Sequence, residues 1–293
     1  MKQSLSYYLI LLVFRLKGLK KTFSQSPVNV KKLRKDDIHG IPNGLLKKEN
    51  CRQFRVLSSA ISEIKSSDNK KLILFIHGGA FVSGPAQHHW DMVKHLIKTT
   101  EATVWMCDYP KAPESKIEEI NRNMDAVFAK AKQEFKTITV MGDSVGGNLA
   151  MSLTQRLIKQ KQALPSLLLL ITPVLDASFS NPEIDIVDKS DPMLSKKGVL
   201  SAKKMAYGSG DLKDSDISPI YGEFRVFPKT VLFLAENDIT YPDQKRLIKK
   251  LDDERIDFEV VLGENMPHIW PLLPVMHEAK TARTQISEIL NAN

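Results

Sequence analysis

From about residue 54 onward, short solid runs of apolar residues alternate with longer stretches in which apolar positions recur every three or four residues. The runs are FRVL, KLILFI, ATVWMC, TITVM, LLLLIT, TVLFLA and FEVVL. Most are apolar throughout rather than alternating, the pattern of strands buried on both faces. The helix-period stretches fall near 88–99, 116–135, 146–161, 194–207, 242–255 and 275–291. Strand then helix, repeated, predicts an α/β fold, a mostly parallel sheet with helices on both sides. Two segments stand outside this rhythm. Residues 1–50 are too short and too basic to hold a core alone, and read as a cap segment of the same domain. The body is residues 51–293, interrupted near 176–220 by a second insertion rich in Asp, Ser and Pro.

Within the first segment, Leu5, Leu9, Leu12, Leu16 and Leu19 fall at helical spacing. They predict a short amphipathic helix whose leucine stripe packs on the body. The apolar run YYLILLVF is too short to span a bilayer. It is followed by RLKGLKK, where an export signal would place a small-residue cleavage site. A cytoplasmic protein is therefore expected, and membrane association through residues 1–21 is the less expected reading. Residues 1–50 are expected to cover the mouth of a site and help form its pocket.

Charge changes the picture only locally. Of the net +8, residues 1–55 carry +10, and the rest of the chain is near neutral. A solvated basic face and attraction to an anionic substrate or surface are both compatible with that. The basic stretch has no nucleic-acid-binding motif, so no nucleic-acid partner is expected. Cys51 and Cys107 make no disulfide framework, and no Cys/His cluster has metal-ligand spacing. They read as buried thiols, which leans toward a reducing compartment.

The chemistry concentrates in TVMGDSVGGN. TITVM ends at Gly142 and a helix pattern opens near Leu149, so Ser144 lies on a strand-to-helix turn. Glycines at 142 and 146 let strand and helix approach closely, and the turn lifts the hydroxyl above the carboxyl edge of the sheet. A serine hydroxyl needs a base, and the base needs an orienting acid. In the G-x-S-x-G architecture these follow in the order serine, acid, histidine. His268, in the loop GENMPHIW, is the expected base; His277 falls within the last helix pattern. Asp238, just after TVLFLA, is the first choice of acid. Asp243 is the rival, at a helix start where acids are common for dipole reasons alone. Oxyanion donors are expected from the backbone of Val145 and from the HGGAF loop, at Gly78, Gly79 and Ala80. His77 reads as a group organising that loop. Asp143 reads either as a support of the turn or as a solvated turn residue.

Four motifs together resemble those of the hormone-sensitive-lipase-like family of α/β-hydrolases. HGGAF resembles the family's HGGGF, DYPKAPE (Asp108 to Glu114) its DYRLAPE, and GDSVGGN its GDSAGGN. AENDITYPD and MPHIW match its acid and histidine segments in order and spacing. The resemblance covers roughly residues 54–290. It implies an α/β-hydrolase fold with an eight-stranded, mostly parallel sheet and a small helical cap. It also implies no cofactor, no metal, and hydrolysis of small carboxylic esters by Ser144, His268 and Asp238. Ala80 replaces the third glycine, Pro110 and Lys111 replace Arg-Leu, and ITYPD after Asp238 replaces PLRDE. The brief cap suggests short acyl chains. An amidase or formamidase, or a membrane-surface lipase, would use the same triad. A non-catalytic hydrolase-fold receptor would keep the pocket and lose the base. Phe81, Trp90, Tyr207 and Trp270 are candidates to line the pocket, although aromatics more often serve the core. Oligomeric state is not legible.

Overall fold

The computed structural model describes residues 3–45, 50–65 and 68–293, so positions 1–2 and 46–49 of the N-terminal segment lie outside the described residues. Its frame is a sheet of eight strands: β1 (Cys51–Val56), β2 (Ser59–Ile64), β3 (Asp68–Ile76), β4 (Ala102–Asp108), β5 (Thr137–Asp143), β6 (Leu167–Ile171), β7 (Thr230–Ala235) and β8 (Phe258–Gly263). The spatial order is β1-β2-β4-β3-β5-β6-β7-β8. The first two pairings, β1 with β2 and β2 with β4, are antiparallel. The remaining pairings are parallel.

The central strands are buried on both faces, as solid apolar runs require. Along β3, Leu72, Leu74 and Ile76 join one core cluster while Ile73 and Phe75 join the other. Helices α5 (Ile117–Glu134), α6 (Val145–Lys159) and α9 (Tyr241–Asp253) cover the first face. Helices α4 (Gln87–Thr99) and α10 (His277–Ala292) cover the second. The edge strand β8 departs from the expected double burial: Val260 and Leu262 are exposed.

Strand β2 has no apolar run to announce it. Its sequence SAISEI carries Ser59, Ser62 and Glu63, all buried. It forms a hairpin with β1 around Leu57 and Ser58, with Val56 opposite Ser59. Glu63 Oε2 and Ser59 are matched by protein partners rather than solvated. Trp105 Nε1–H donates to Glu63 Oε2 at 2.9 Å, and Arg52 reaches the same oxygen at 3.0 Å. The N–H of Ser59 donates to Asn123 Oδ1 at 3.0 Å.

The two irregular segments meet over the carboxyl edge of the sheet. The first supplies α1 (Leu5–Lys17), α2 (Leu19–Phe23) and α3 (Val30–Leu33); the second supplies α7 (Glu183–Ser190), which the pattern did not signal, and α8 (Lys196–Tyr207). Helices α2 and α8 approach so closely that a Cβ on Gly198 would lie 1.7 Å from the Phe23 carbonyl oxygen. Ser201 Oγ accepts from Val28 N–H at 3.0 Å, and Lys20 Nζ donates to the Asp191 carbonyl at 2.8 Å.

Helix α1 corrects the sequence expectation. Ser4 caps its start and Gly18, at φ 62°, ends it. Four of the five stripe leucines do not face the body; Leu19, at the start of α2, does turn to the cavity. Leu5 is 90% exposed, Leu9 52%, Leu12 51% and Leu16 78%. The opposite face packs instead: Tyr7 and Phe14 are buried, and Ile10 and Leu11 are partly buried against the core. The helix is apolar on both sides, so periodicity alone could not say which side turns inward. Polar anchors fix the rotation. Tyr7 OH donates to the Asn265 carbonyl at 3.0 Å, and Ser4 Oγ donates to Glu278 at 2.9 Å.

Candidate active site

Ser144 sits between β5 and α6 at φ 53°, ψ −119°, a conformation that costs a non-glycine residue of order 1–3 kcal/mol. The turn can be this sharp because its glycines leave no side chain in the way. A Cβ on Gly146 would lie 2.0 Å from the Ile76 carbonyl oxygen, and one on Gly142 would lie 2.5 Å from that of Gly146. Ser144 N–H donates to Ile171 O at 2.9 Å, which ties the turn to the end of β6.

His268 and Asp238 come from the loops after β8 and β7. Asp238 Oδ2 accepts from His268 Nδ1 at 2.6 Å, and both side chains are almost wholly buried. The carboxylate is held on its other side by Thr240, whose N–H and Oγ1 donate at 2.8 and 2.7 Å. The rival acid is elsewhere. Asp243, in the first turn of α9, accepts from Arg246 at 2.9 Å and Asn181 at 3.2 Å. His277 opens α10, and its N–H donates to Ser6 Oγ.

Burial pulls the His268 pKa down. The charge of Asp238, the hydrogen bond to it, and the carboxylates of Asp191 and Asp143 outweigh that pull and leave it above the ordinary histidine value. Asp191 was not singled out in the sequence. It lies between α7 and α8, and its Oδ2 accepts from Ile239 N–H at 2.9 Å, the residue next to Asp238. Its Oδ1 accepts from Met193 and Leu194 N–H at 2.7 and 2.8 Å. Burial, and then the charge of Asp238, push the Asp191 carboxyl up to about 6. Only the Asp-Pro step at 191–192, a turn signal inside the insertion, hinted at it.

The HGGAF loop follows β3. Gly78 was expected to offer its N–H to an oxyanion, but that donor is already engaged. Asp143 Oδ1 accepts it at 2.9 Å, because β3 and β5 are adjacent and in register and bring the loop beside the elbow. Asp143 is therefore buried and bonded, not a solvated turn residue. His89 supports it from α4. Ala86 N–H donates to His89 Nδ1 at 2.9 Å, which leaves Nε2–H to face Asp143 at 3.3 Å. Burial raises the Asp143 pKa, but the histidines and the Gly78 N–H bring it below the ordinary value. His77 Nδ1–H donates to Gly78 O at 2.5 Å and its ring stacks on Tyr109. Burial lowers its pKa to about 4.

Among the described residues, the N–H groups of Gly79, Ala80 and Val145 have no acceptor in the protein. Ala80 has φ 55°, the region that favours glycine. Arg34, from the N-terminal segment, steadies this loop: it donates to Val82 O and Ala112 O, each at 2.7 Å, and pairs with Glu114. Asp37 Oδ1 accepts from Gly84 N–H at 2.7 Å.

A cavity of about 710 Å³ opens over these groups. Its wall includes Gly79, Ala80, Ser144, Val145 and His268. The N-terminal segment contributes Phe14, Lys17, Leu19, Phe23 and Leu33, and the insertion contributes Met193, Leu194 and Val199. Ser144 and His268 both line this space, and no hydrogen bond joins their side chains. The aromatic candidates are absent from the wall: Phe81, Trp90, Tyr207 and Trp270 are buried in the core. Among the described residues no group of three or more His, Cys, Asp and Glu side chains is placed to hold a metal ion.

A serine on a strained strand-to-helix turn, beside a buried histidine–carboxylate pair at the carboxyl edge of a mostly parallel sheet, is the layout of a hydrolase. Comparison with known proteins agrees. A family model described as alpha/beta hydrolase fold matches residues 73–272. An esterase of Acinetobacter venetianus is 30% identical over 249 residues, covering 81% of this chain and 80% of that one. A Staphylococcus aureus chain solved as a candidate esterase superposes with a TM-score of 0.80 at 30% identity, covering 86% of each chain. An esterase solved from the bacterial hormone-sensitive lipase family superposes with a TM-score of 0.83 at 21% identity, over 100% of this chain and 99% of that one. The chain belongs to the α/β-hydrolase fold family.

Proposed function

We propose that the protein is a serine carboxylesterase that acts on small esters through Ser144, His268 and Asp238. Ser144 Oγ attacks the ester carbonyl carbon as its proton passes to His268 Nε2. Asp238 holds His268 in the tautomer that leaves Nε2 free, through the 2.6 Å contact at Nδ1, and stabilises the imidazolium. The tetrahedral oxyanion is held by N–H groups of Gly79, Ala80 and Val145, with Gly78 acting only to position the loop. His268 then protonates the leaving alcohol, the C–O bond breaks, and the acyl group stays on Ser144. Water, deprotonated by His268, attacks the acyl carbonyl, and the acid leaves as Ser144 regains its proton.

The observation that carries this reading is the set of three unspent amides sharing one cavity with Ser144 and a carboxylate-paired histidine. A receptor would have no use for donors left without partners. The proposed acyl groups are short, since both cap segments are brief and Ser144 is only 8% exposed at the base of the cavity. A fluorophosphonate probe is expected to label Ser144 and no other serine, read by peptide mass spectrometry. Ser144→Ala should abolish both labelling and hydrolysis of p-nitrophenyl acetate. Retained hydrolysis in that variant would end the reading. A series of p-nitrophenyl esters should peak at acetate to butyrate; a peak at decanoate or longer removes the acyl assignment, and faster turnover of matched anilides makes the protein an amidase.

A further inference from the structure

Helix α1 has two apolar faces, and the fold uses one. Tyr7 and Phe14 are buried against the body, while Leu5, Tyr8, Leu9, Leu12 and Leu16 are all more than half exposed. Leu5, Leu9, Leu12 and Leu16 follow one another by three or four residues, and Tyr8 lies three residues after Leu5 and four before Leu12, so the five form a single ridge along the helix. Five large apolar side chains in one exposed row are not the scattered singles of an ordinary surface. Charge borders the ridge. Arg15, Lys17 and Lys21 are exposed near its C-terminal end, and Lys31, Lys32 and Lys35 are exposed on the same segment. The first 35 residues hold nine basic side chains and no acidic one.

We propose that α1 is an interfacial helix that docks the protein on an anionic lipid surface. An apolar ridge entering the acyl boundary, with Lys and Arg at headgroup level, is the way a helix lies in a membrane plane. A second copy of this chain would meet the ridge with the same basic border, and the two would repel. Anionic headgroups complement that border instead. No helix among the described residues is long and apolar enough to cross a membrane, so the contact is one of lying on the surface. The placement has a use. Lys17 and Phe14 belong both to α1 and to the cavity wall. A docked α1 therefore holds one wall of the cavity close to the lipid boundary, where sparingly soluble molecules concentrate.

The full chain should co-sediment with vesicles of equal parts phosphatidylglycerol and phosphatidylcholine, should not do so with phosphatidylcholine alone, and should be released as salt is raised. The double variant Leu12→Asp, Leu16→Asp, at outward positions, should lose at least about tenfold in the bound fraction. Its Tm should shift by no more than about 2 °C, showing that the fold is kept. Arg15→Glu with Lys21→Glu should weaken binding without touching the ridge. No binding of the intact chain, or equal binding to neutral vesicles, would overturn the proposal. So would a dimer in sedimentation equilibrium that the leucine variant converts to monomer, because the ridge would then be covered by a second copy.

Discussion

Replacing Asp238 with Asn tests the proposed triad at its most constrained contact. The carboxylate accepts from Thr240 N–H at Oδ1, and from Thr240 Oγ1 and His268 Nδ1 at Oδ2. An amide can keep the first bond with its oxygen. Its NH₂ then occupies the Oδ2 position, 2.6 Å from Nδ1 in the present geometry. Two N–H donors cannot face each other at that distance, so Nδ1 must give up its proton and Nε2 must carry it. An imidazole protonated at Nε2 cannot take the proton of Ser144. Both side chains are almost wholly buried, so water does not come between them to relieve the clash. The expected loss is about 10⁴ in kcat, the size seen when the orienting carboxylate of a serine triad becomes an amide. At about 1.4 kcal/mol per decade that is about 5.5 kcal/mol of transition-state stabilisation. The assay is steady-state hydrolysis of p-nitrophenyl acetate, with thermal unfolding as the control for folding. Asp243→Asn is the matched comparison. It loosens Arg246 and Asn181, should cost about 1 kcal/mol of stability, and should leave kcat within about threefold. A loss under tenfold for Asp238→Asn, or a crippled Asp243→Asn, would refute the assignment.

Activity should rise with pH as His268 loses its proton, because only the neutral ring accepts from Ser144. With that pKa raised, the acid limb of kcat/KM should have its midpoint above the ordinary histidine value of about 6.5. Asp191→Asn removes one of the charges that raise it, so the limb, normalised to its own maximum, should move to lower pH; an unmoved limb would show that Asp191 does not act on His268. Ala80→Gly relieves a positive φ while keeping the backbone donor, and should raise stability by about 0.5–1 kcal/mol without loss of kcat, read by denaturant unfolding.

What the sequence made legible follows from how local each constraint is. The turn at Ser144 was legible because the strand and the two glycines that permit it lie within a dozen residues. The parallel core was legible because burial on both faces writes a solid apolar run. Strand β2 was not, since Glu63 Oε2 and Ser59 are bonded by Trp105, Arg52 and Asn123, partners that lie outside residues 59–64. Asp238 and Asp243 could be ranked by position, but only the contact with His268 separates them. Gly78 was assigned a free donor because its motif says nothing of Asp143, 65 residues away. The ridge of α1 was recognised as a helix face and then turned the wrong way. A periodicity shows that a face exists, whereas what it packs on is decided by the rest of the molecule.

Sheet order explains how such distant residues meet. The strand pair β3 and β5 ends with Ile76 beside Gly142, so the HGGAF loop and the elbow leave the sheet side by side, and Asp143 can bridge them to Gly78. Next along the edge, Asp143 lies beside Ile171 of β6, whose carbonyl receives the Ser144 N–H. The residue after it, Thr172, accepts from Ile269 N–H at 3.2 Å and so holds the loop that carries His268. The pair β7 and β8 ends with Ala235 beside Gly263, and the loops that follow bring Asp238 to His268. Each link runs between strands one or two places apart in that order, so the proposed nucleophile after β5, acid after β7 and base after β8 lie along one edge. A parallel sheet sends every one of these loops out at its carboxyl end, and a slip of one residue in either pairing would turn the adjoining side chains to the opposite face. The solid apolar runs that first defined the strands therefore also set the register on which the site depends.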